Sequence, residues 1–299
     1  MIKRNPILFA FLSLFGLAFI IFIIAYAVTV GVGRFSLLSG EKIAIVKIEG
    51  VILNSAEIIE ELKEYNSNDS VKVILLRIDS PGGAVAPSQE IYEEVKRIRD
   101  EGKKKVVTSM GSVAASGGYY IACVSDKIVA NPGSITGSIG VILELANISG
   151  LMKKVGVESV VIKSGKYKDI GSIFRAMSQE ERDFLQGVID DTHDQFIEAV
   201  AAGRGIDKAK IVPLADGRVF TGRQAKQIGL VDEIGNMQTA IKIAADMAGI
   251  KGEPSIIEKK KRFSFIDLIR SDTLLKWLSH GKKIAGGENT FSMKYLLAY

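Results

Sequence analysis

Ser116 has the surroundings of a serine nucleophile. It lies in the stretch AASGG (residues 114–118), where no neighbouring side chain places bulk beside the hydroxyl. A scissile carbonyl can therefore approach the oxygen closely, and a serine so placed becomes a nucleophile when a nearby base removes its proton. A Ser-Gly-Gly stretch is also typical of a tight packing turn. The motif alone does not separate catalysis from packing.

Backbone N–H groups on both sides of the motif can assist such a serine. Gly82 and Gly83 follow the apolar run VKVILLRI (residues 71–78), and glycines at the end of a buried strand can direct N–H groups toward a developing oxyanion. Gly117, directly after the serine, can supply a second N–H. An ordinary Pro-Gly turn at Pro81 explains the same glycines without any chemistry.

The base that this serine needs does not look like a histidine. The chain has two histidines and one cysteine, and His193 falls in a predicted amphipathic helix rich in aspartates while His280 lies in the C-terminal tail. Lysine can act instead if its pKa falls by about three units from about 10.4. Residue chemistry alone does not choose among the lysines. The scarcity of His and Cys also argues against a zinc site or a disulfide framework, so no metal is expected.

The elements that must position these residues alternate between strand and helix. Strands are predicted at residues 42–49, 71–78, 105–109 and 127–130, and helices at residues 56–65 and 88–100. The second helix carries Ile91, Val95 and Ile98 on one apolar face. This order implies an α/β layer architecture.

The second half of the chain is predicted to be mainly helical. A capping box at residues 178–181 predicts a long helix over residues 179–202, and a further helix over residues 237–247 closes the body near Gly249. Residues 251–299 form a basic and apolar extension, which is either an interfacial helix or a packing arm onto a neighbouring copy. The side chains of the long helix expected to be buried include Phe184, Val188, Phe196 and Val200.

The N-terminus predicts a membrane anchor. Residues 7–32 carry no charge, and this run exceeds the roughly 20 residues needed to span a bilayer. Lys3 and Arg4 precede it, so the positive-inside bias places the N-terminus in the cytoplasm and the chain after Arg34 outside. We therefore expect residues 1–34 to be an uncleaved transmembrane anchor in the cell membrane. A cleaved signal peptide is the alternative, since residues 25–27 offer a small-x-small pattern.

Charge argues against a nucleic-acid partner. The formal net charge of +5 is concentrated in residues 251–299, which leaves the body neutral. A nucleic-acid interface needs a basic face on the folded body, and the composition indicates none.

Four motifs in a fixed order resemble those of the signal peptide peptidase A family. They are DSPGG (79–83), ASGGYY (115–120), TGSIG (136–140) and GKYK (165–168). The resemblance covers about residues 41–250 and is to the single-domain form. It implies a Clp protease/crotonase-like spiral of strand-strand-helix units after one N-terminal transmembrane helix, with a serine protease domain at residues 35–250.

The resemblance also implies roles for individual residues. Ser116 matches the family's nucleophile, and Lys168 matches its general base, which makes a Ser/Lys dyad. Lys166, two residues from Lys168, is the nearest alternative lysine. Ser138 would orient the Lys168 amine, and the Gly83 N–H would line the oxyanion hole.

The family further implies a homo-oligomer in which one copy supplies the serine and its neighbour the lysine. Its substrates are apolar peptides left in the membrane after signal cleavage, bound extended along a strand edge, and no cofactor is implied. Two alternatives stay open. One is crotonase-type chemistry on acyl thioesters, although an extracytoplasmic body would not meet coenzyme A. The other is a catalytically silent membrane scaffold, which would need neither Ser116 nor Lys168.

Overall fold

The structure, a computed structural model, describes residues 14–24, 26, 41–259 and 294–296. Residues 14–24 form a helix, α1. Among the described residues no helix is both long enough and apolar enough to cross a membrane. Much of the predicted anchor, and residues 260–293 and 297–299 of the predicted C-terminal extension, lie outside the described part of the chain.

Strands and helices alternate through the first half of the body. The strands are β1 (Lys42–Glu49), β2 (Val71–Ser80), β3 (Gly82–Ala84), β4 (Lys105–Ala115), β5 (Lys127–Ala130), β6 (Ile135–Gly137), β7 (Val219–Thr221), β8 (Glu233–Ile234), β9 (Ser255–Glu258) and β10 (Lys294–Leu296). The further helices are α2 (Ala56–Ser67), α3 (Val85–Glu101), α4 (Gly117–Ala122), α5 (Ser149–Val155), α6 (Gln179–Arg204), α7 (Lys208–Ile211), α8 (Gly222–Gln227) and α9 (Met237–Ala248).

One sheet of eight strands forms the centre of the body. Its order is β7-β6-β4-β2-β1-β9, with β5 paired to β4 and to β8. The β6–β7 pair is antiparallel, and the other pairs are parallel. The predicted α/β layer architecture is thus confirmed in its main feature, a parallel sheet built from alternating strands and helices.

Side chains from the two faces of the sheet enter two apolar clusters. Ile43 and Ile45 of β1 pack with Ala240 and Ala244 of α9 on one face. Ala44, between the two isoleucines, belongs to the larger cluster on the other face, because successive strand residues point in opposite directions. The predicted α3 face is confirmed, since all three of its predicted apolar residues are fully buried. The sheet is therefore covered on both sides, as parallel sheets require.

Helix α6 begins at the predicted capping box. The Ser178 hydroxyl accepts from the Glu181 N–H, and the Glu181 carboxylate accepts from the Ser178 N–H. Phe196 and Val200 are fully buried, as predicted. The prediction that Phe184 is buried is wrong: 52% of it is exposed, because its ring packs outward against Tyr167 with centroids 5.2 Å apart. Phe184 in the first turns of α6 therefore packs against the loop that carries Tyr167 and not against the core.

Cys123 follows α4 and is fully buried. Its Sγ donates to the Tyr120 carbonyl at 3.0 Å. Desolvation raises the pKa of the thiol to about 12. The cysteine is consequently a small buried side chain with little nucleophilic character.

Candidate active site

Three neighbouring parallel strands end at one edge of the sheet and place the predicted serines together. In the register of β2, β4 and β6, Ser80 pairs with Ala114 and Ala115 pairs with Gly137. The next residues along β4 and β6 are Ser116 and Ser138. The Ser116 N–H donates to the Gly137 carbonyl at 2.8 Å, which fixes the two turns to each other.

Ser116 and Ser138 share an unusual backbone conformation. Their φ angles are 52° and 50°, and they are the two non-glycine residues with positive φ in the described part of the chain. A side chain in this region costs of order 1–3 kcal/mol, and such strain concentrates at functional sites. The sequence gives no warning of it, because serine is not a residue that favours positive φ.

The Ser116 hydroxyl is buried and has no hydrogen-bond partner among the described residues. Leaving a buried polar group unpaired costs about 1–3 kcal/mol, so native proteins rarely keep one without a purpose. A strained turn presenting an unpaired hydroxyl is the arrangement that a nucleophile requires before its base and substrate arrive.

Glycines form the wall beside this hydroxyl because side chains do not fit there. A Cβ on Gly117 would lie 2.6 Å from Ser88 Oγ and 3.3 Å from the Gly83 nitrogen. A Cβ on Gly83 would lie 2.0 Å from the Ile52 carbonyl oxygen. The structure thus brings Gly83 and Gly117 together next to Ser116.

The backbone of β3 presents an edge beside the serine turn. On one side Ile52 donates to the Gly82 carbonyl at 2.9 Å and accepts from the Ala84 N–H at 2.8 Å. On the other side β10 pairs antiparallel, with Tyr295 opposite Gly83. The Gly82 N–H donates to Ser80 Oγ at 3.1 Å, so it is already engaged. The side of β3 away from Ile52 therefore accepts an extended segment of chain, which in this structure is β10.

Lys168 lies in a different setting, in the segment of residues 163–175 that we call the lysine loop. Lys168 is exposed, and the structure does not bring it to the Ser116 hydroxyl, which has no described partner. Its two lysine neighbours are occupied. Lys163 pairs with Asp169 at 2.5 Å, and Lys166 pairs with Glu180, whose hydrogen bond raises the Lys166 pKa. Lys168 forms no ion pair with a described carboxylate.

Arg175 anchors the lysine loop and was not recognised in the sequence. Its guanidinium donates to both Asp169 and Glu181. Hydrogen bonds from Arg175 hold the Asp169 pKa well below its usual range and lower that of Glu181 to about 2. Asp169 and Arg175 lie in irregular turns and Glu181 lies in the first turn of α6, so no single helix or strand joins the three charges. No sequence pattern therefore indicated them.

The surface next to the lysine loop is strongly apolar. Val160 is 82% exposed and Ile162 is 98% exposed. Leu151, Val155 and Val157 add further exposed apolar area a few residues earlier. Several exposed apolar side chains within one short stretch of chain are typical of an interaction site.

A cavity of 770 Å³ is lined by residues 141–147, by the end of the lysine loop and by the first turns of α6. Ser172 and Arg175 are among its lining residues, whereas neither Ser116 nor Ser138 lines it. The cavity is therefore separate from the serine turn.

Comparison with known proteins gives consistent results. A family model described as Peptidase family S49 matches residues 98–251, and one described as Clp protease matches residues 35–134. The parallel-dominated α/β sheet fits the Clp protease type of fold.

Three relatives are similar over most of the body. A candidate protease from Synechocystis sp. is 46% identical over 73% of this chain and 78% of that protein. A candidate protease from Methanocaldococcus jannaschii is 41% identical over 66% of this chain and 62% of its own. A candidate signal peptide peptidase from Enterococcus faecium is 38% identical over 68% of this chain and 62% of its own.

Proposed function

Because this chain belongs to peptidase family S49 and is a serine protease, we propose that it is an endopeptidase with a Ser116/Lys168 dyad. Ser116 attacks the peptide carbonyl, and Lys168 accepts the hydroxyl proton and later returns it to the leaving amine. The observation that carries the proposal is the buried, unpaired Ser116 hydroxyl on a strained turn beside Gly83 and Gly117.

The neighbouring groups supply the remaining roles. The N–H groups of Gly83 and Gly117 stabilise the oxyanion of the tetrahedral intermediate, and Ser138 orients the lysine amine. Lys168 is favoured over Lys166 because a lysine base must be uncharged, whereas the ion pair with Glu180 keeps Lys166 protonated.

The base comes from a neighbouring copy of the chain in this proposal. Lys168 is exposed, and the Ser116 hydroxyl has no described partner within the same chain. Exposed Val160 and Ile162 lie a few residues before Lys168 and would be buried when a second copy covers them. A homo-oligomer would thereby complete each site with residues from two chains.

The substrates in this proposal are apolar peptides, including remnants of cleaved signal peptides. The name of the Enterococcus faecium relative supports this class of substrate. The pairing of β10 along β3 supports an extended binding mode, in which backbone hydrogen bonds hold the peptide and alternate side chains enter apolar pockets. No cofactor is needed.

The proposed setting is the cell membrane. Residues 1–34 would be a cytoplasmic N-terminus and transmembrane anchor, and residues 35–250 an extracytoplasmic protease domain folded as a spiral of strand-strand-helix units. Residues 251–299 would form an extension. The uncharged run over residues 7–32, with Lys3 and Arg4 before it, supports this topology.

A serine-reactive fluorophosphonate tests the proposed chemistry directly. The purified full-length chain should be labelled at Ser116, and labelling should disappear in Ser116→Ala and fall strongly in Lys168→Ala. Lys166→Ala serves as the matched control, because it removes a lysine two positions away and should label normally. Labelling that persists in Ser116→Ala would contradict the proposal by showing that another residue is the nucleophile. Absence of labelling from the folded unmodified protein would contradict it in favour of a scaffold.

A further inference from the structure

Arg175 joins the residue that follows Lys168 to the first turn of α6. Its Nε lies 2.8 Å from Asp169 Oδ2, and its Nη2 lies 3.0 Å from Asp169 Oδ1. On its other side Nη1 lies 2.8 Å from Glu181 Oε2, and Nη2 also donates to Glu181 Oε1. Two bidentate contacts on one guanidinium fix both distance and orientation. We call this group of three residues the Arg175 clamp.

We propose that Arg175 is a positioning residue for the proteolytic reaction: through Asp169 it holds Lys168 in the orientation needed to act on the serine. The inference rests on the proposed role of Lys168 as the base. It assigns to Arg175 no contact with the substrate or with the reacting atoms.

The backbone around Lys168 is fixed at the same points. Arg175 Nη2 donates to the Asp169 carbonyl at 3.2 Å, and that carbonyl also accepts from the Ser172 N–H at 3.1 Å. On the N-terminal side of Asp169, the Lys168 N–H donates to the Gly165 carbonyl at 3.2 Å. Turns therefore close on both sides of the lysine, and the clamp attaches them to α6.

The other end of the clamp is equally constrained. Glu181 is the acidic residue of the α6 capping box, and its Oε2 accepts from the Ser178 N–H at 2.9 Å. The Asp169 side chain is 11% exposed and that of Glu181 is 6% exposed. The two carboxylates of the clamp are thus largely covered and the Arg175 side chain is 34% exposed, whereas Lys168 belongs to the exposed residues of the same turn. Such a geometry suits an anchor beneath a projecting amine.

Charge neutralisation is the second effect of the clamp. Besides Lys168, the ionisable groups on the lysine loop and at the start of α6 are Lys163, Lys166, Tyr167, Asp169, Arg175, Glu180, Glu181, Arg182 and Asp183. Asp169 is engaged by two cations, Lys163 and Arg175. Without Arg175, the Asp169 carboxylate becomes available to its neighbour Lys168 and would favour the protonated amine, which is inactive as a base. Loss of the clamp should therefore also move the pH dependence of the rate.

The experiment compares Arg175→Ala with Asp169→Asn in the full-length protein, using an apolar fluorogenic peptide between pH 6 and 10. We expect kcat to fall about 10- to 100-fold with KM changed less than about twofold, since displacement of a catalytic group by about 1 Å can cost 10²-fold. The pH midpoint of kcat should rise in Arg175→Ala but not in Asp169→Asn, which lacks the carboxylate. Millimolar guanidinium should restore part of the activity of Arg175→Ala.

Arg97→Ala is the matched control. Arg97 also bridges two carboxylates, Glu94 and Glu101, but on α3 and away from the lysine loop. Its removal should leave kcat and the pH profile unchanged. Thermal unfolding and size-exclusion chromatography of each variant give the folded fraction and the oligomeric state, to which the rates are normalised.

The outcomes separate the two proposals. If Lys168→Ala is inactive while Arg175→Ala and Asp169→Asn keep normal kcat per folded oligomer, the clamp inference is wrong and the dyad stands. If the clamp variants lose activity only in proportion to lost folding or assembly, Arg175 is merely structural and the inference is again overturned. If Arg175→Ala does not fold, Asp169→Asn decides, because it preserves shape. Normal turnover in Lys168→Ala overturns the dyad itself.

Discussion

The serine turn and the lysine loop carry the two halves of the proposed dyad, yet different forces hold them. Around Ser116 every residue of α4 is buried, and Gly117 lies in close contact with Ser88 and Gly83. Around Lys168 the contacts are ion pairs made by three partly exposed cations, Lys163, Lys166 and Arg175. One region is fixed by packing and the other by charge.

This difference determines what each region responds to. Close packing in a core does not depend on salt. Exposed ion pairs are weakened by dissolved salt, for which the screening length is about 8–10 Å at physiological ionic strength. The nucleophile should therefore be preorganised under all conditions that preserve the fold. The base should be the adjustable half, whose placement depends on pH, on ionic strength and on contact with a neighbour.

The largest effect on activity should come from inactivating one region in one variant and the other region in a second variant. Ser116→Ala and Lys168→Ala should each reduce kcat by at least about 10³-fold without unfolding the body, because nucleophile and base act as one unit. Co-assembled in equal amounts, the two inactive variants should recover up to roughly one quarter of normal activity, since some interfaces pair an intact serine with an intact lysine.

Differently tagged variants, co-expressed and isolated in detergent as mixed oligomers, provide the measurement. Each variant purified alone is the control, and the double variant should be as inactive as either single one. Verified mixed oligomers without recovered activity would place both residues of the dyad in one chain.

A smaller effect should follow from crowding the serine turn. Gly117→Ala places a Cβ 2.6 Å from Ser88 Oγ, so the free energy of unfolding should fall by about 1–3 kcal/mol, and activity should fall with it. Adding Ser88→Ala removes the clashing oxygen and should restore part of the free energy of unfolding and part of the activity. Urea denaturation and kcat measure the two losses. If Ser88→Ala gives no relief, the close contact between α3 and α4 is not what constrains this turn.

The smallest effect concerns the acid stability of the lysine loop. The pKa of Glu181 is lowered from 4.5 to about 2, chiefly by Arg175. A depressed carboxyl pKa stabilises the folded form fully above about pH 4.5, and this contribution is lost as the pH falls toward about 2. The lysine loop should therefore become susceptible to pepsin across that interval before the serine turn does. In Arg175→Gln the loop should be cut already near pH 5, and an unchanged cleavage profile would argue against the clamp.

Sequence periodicity predicted the elements whose burial is regular. Strands β1 and β5 have the predicted bounds, and α6 begins at its predicted capping box. β4 continues six residues beyond its predicted end at Ser109, because its last residues pair with β6 although their small side chains lack strand character. Elements defined by pairing rather than by side-chain pattern, such as β6 and β7, were therefore not predicted.

The candidate site divides in the same way. The positions of Ser116, Ser138, Gly83 and Gly117 follow from glycine-rich turns after parallel strands, which a motif can indicate. The lysine could be chosen only by resemblance, since lysines are common at surfaces and no local pattern distinguishes Lys168. The prediction for Phe184 failed because helical periodicity does not say which neighbour covers a face.

The rate at which a reagent labels the single cysteine can report how often the serine turn opens. Ser116 precedes α4 and Cys123 follows it, so the thiol is inaccessible as long as this short helix stays packed. A thiol reagent added to the unmodified protein can react only when that region opens, and the labelling rate therefore reports the frequency of opening. Ligands that fill the site should lower the labelling rate of Cys123. This decrease would measure ligand occupancy without a substrate or an engineered probe.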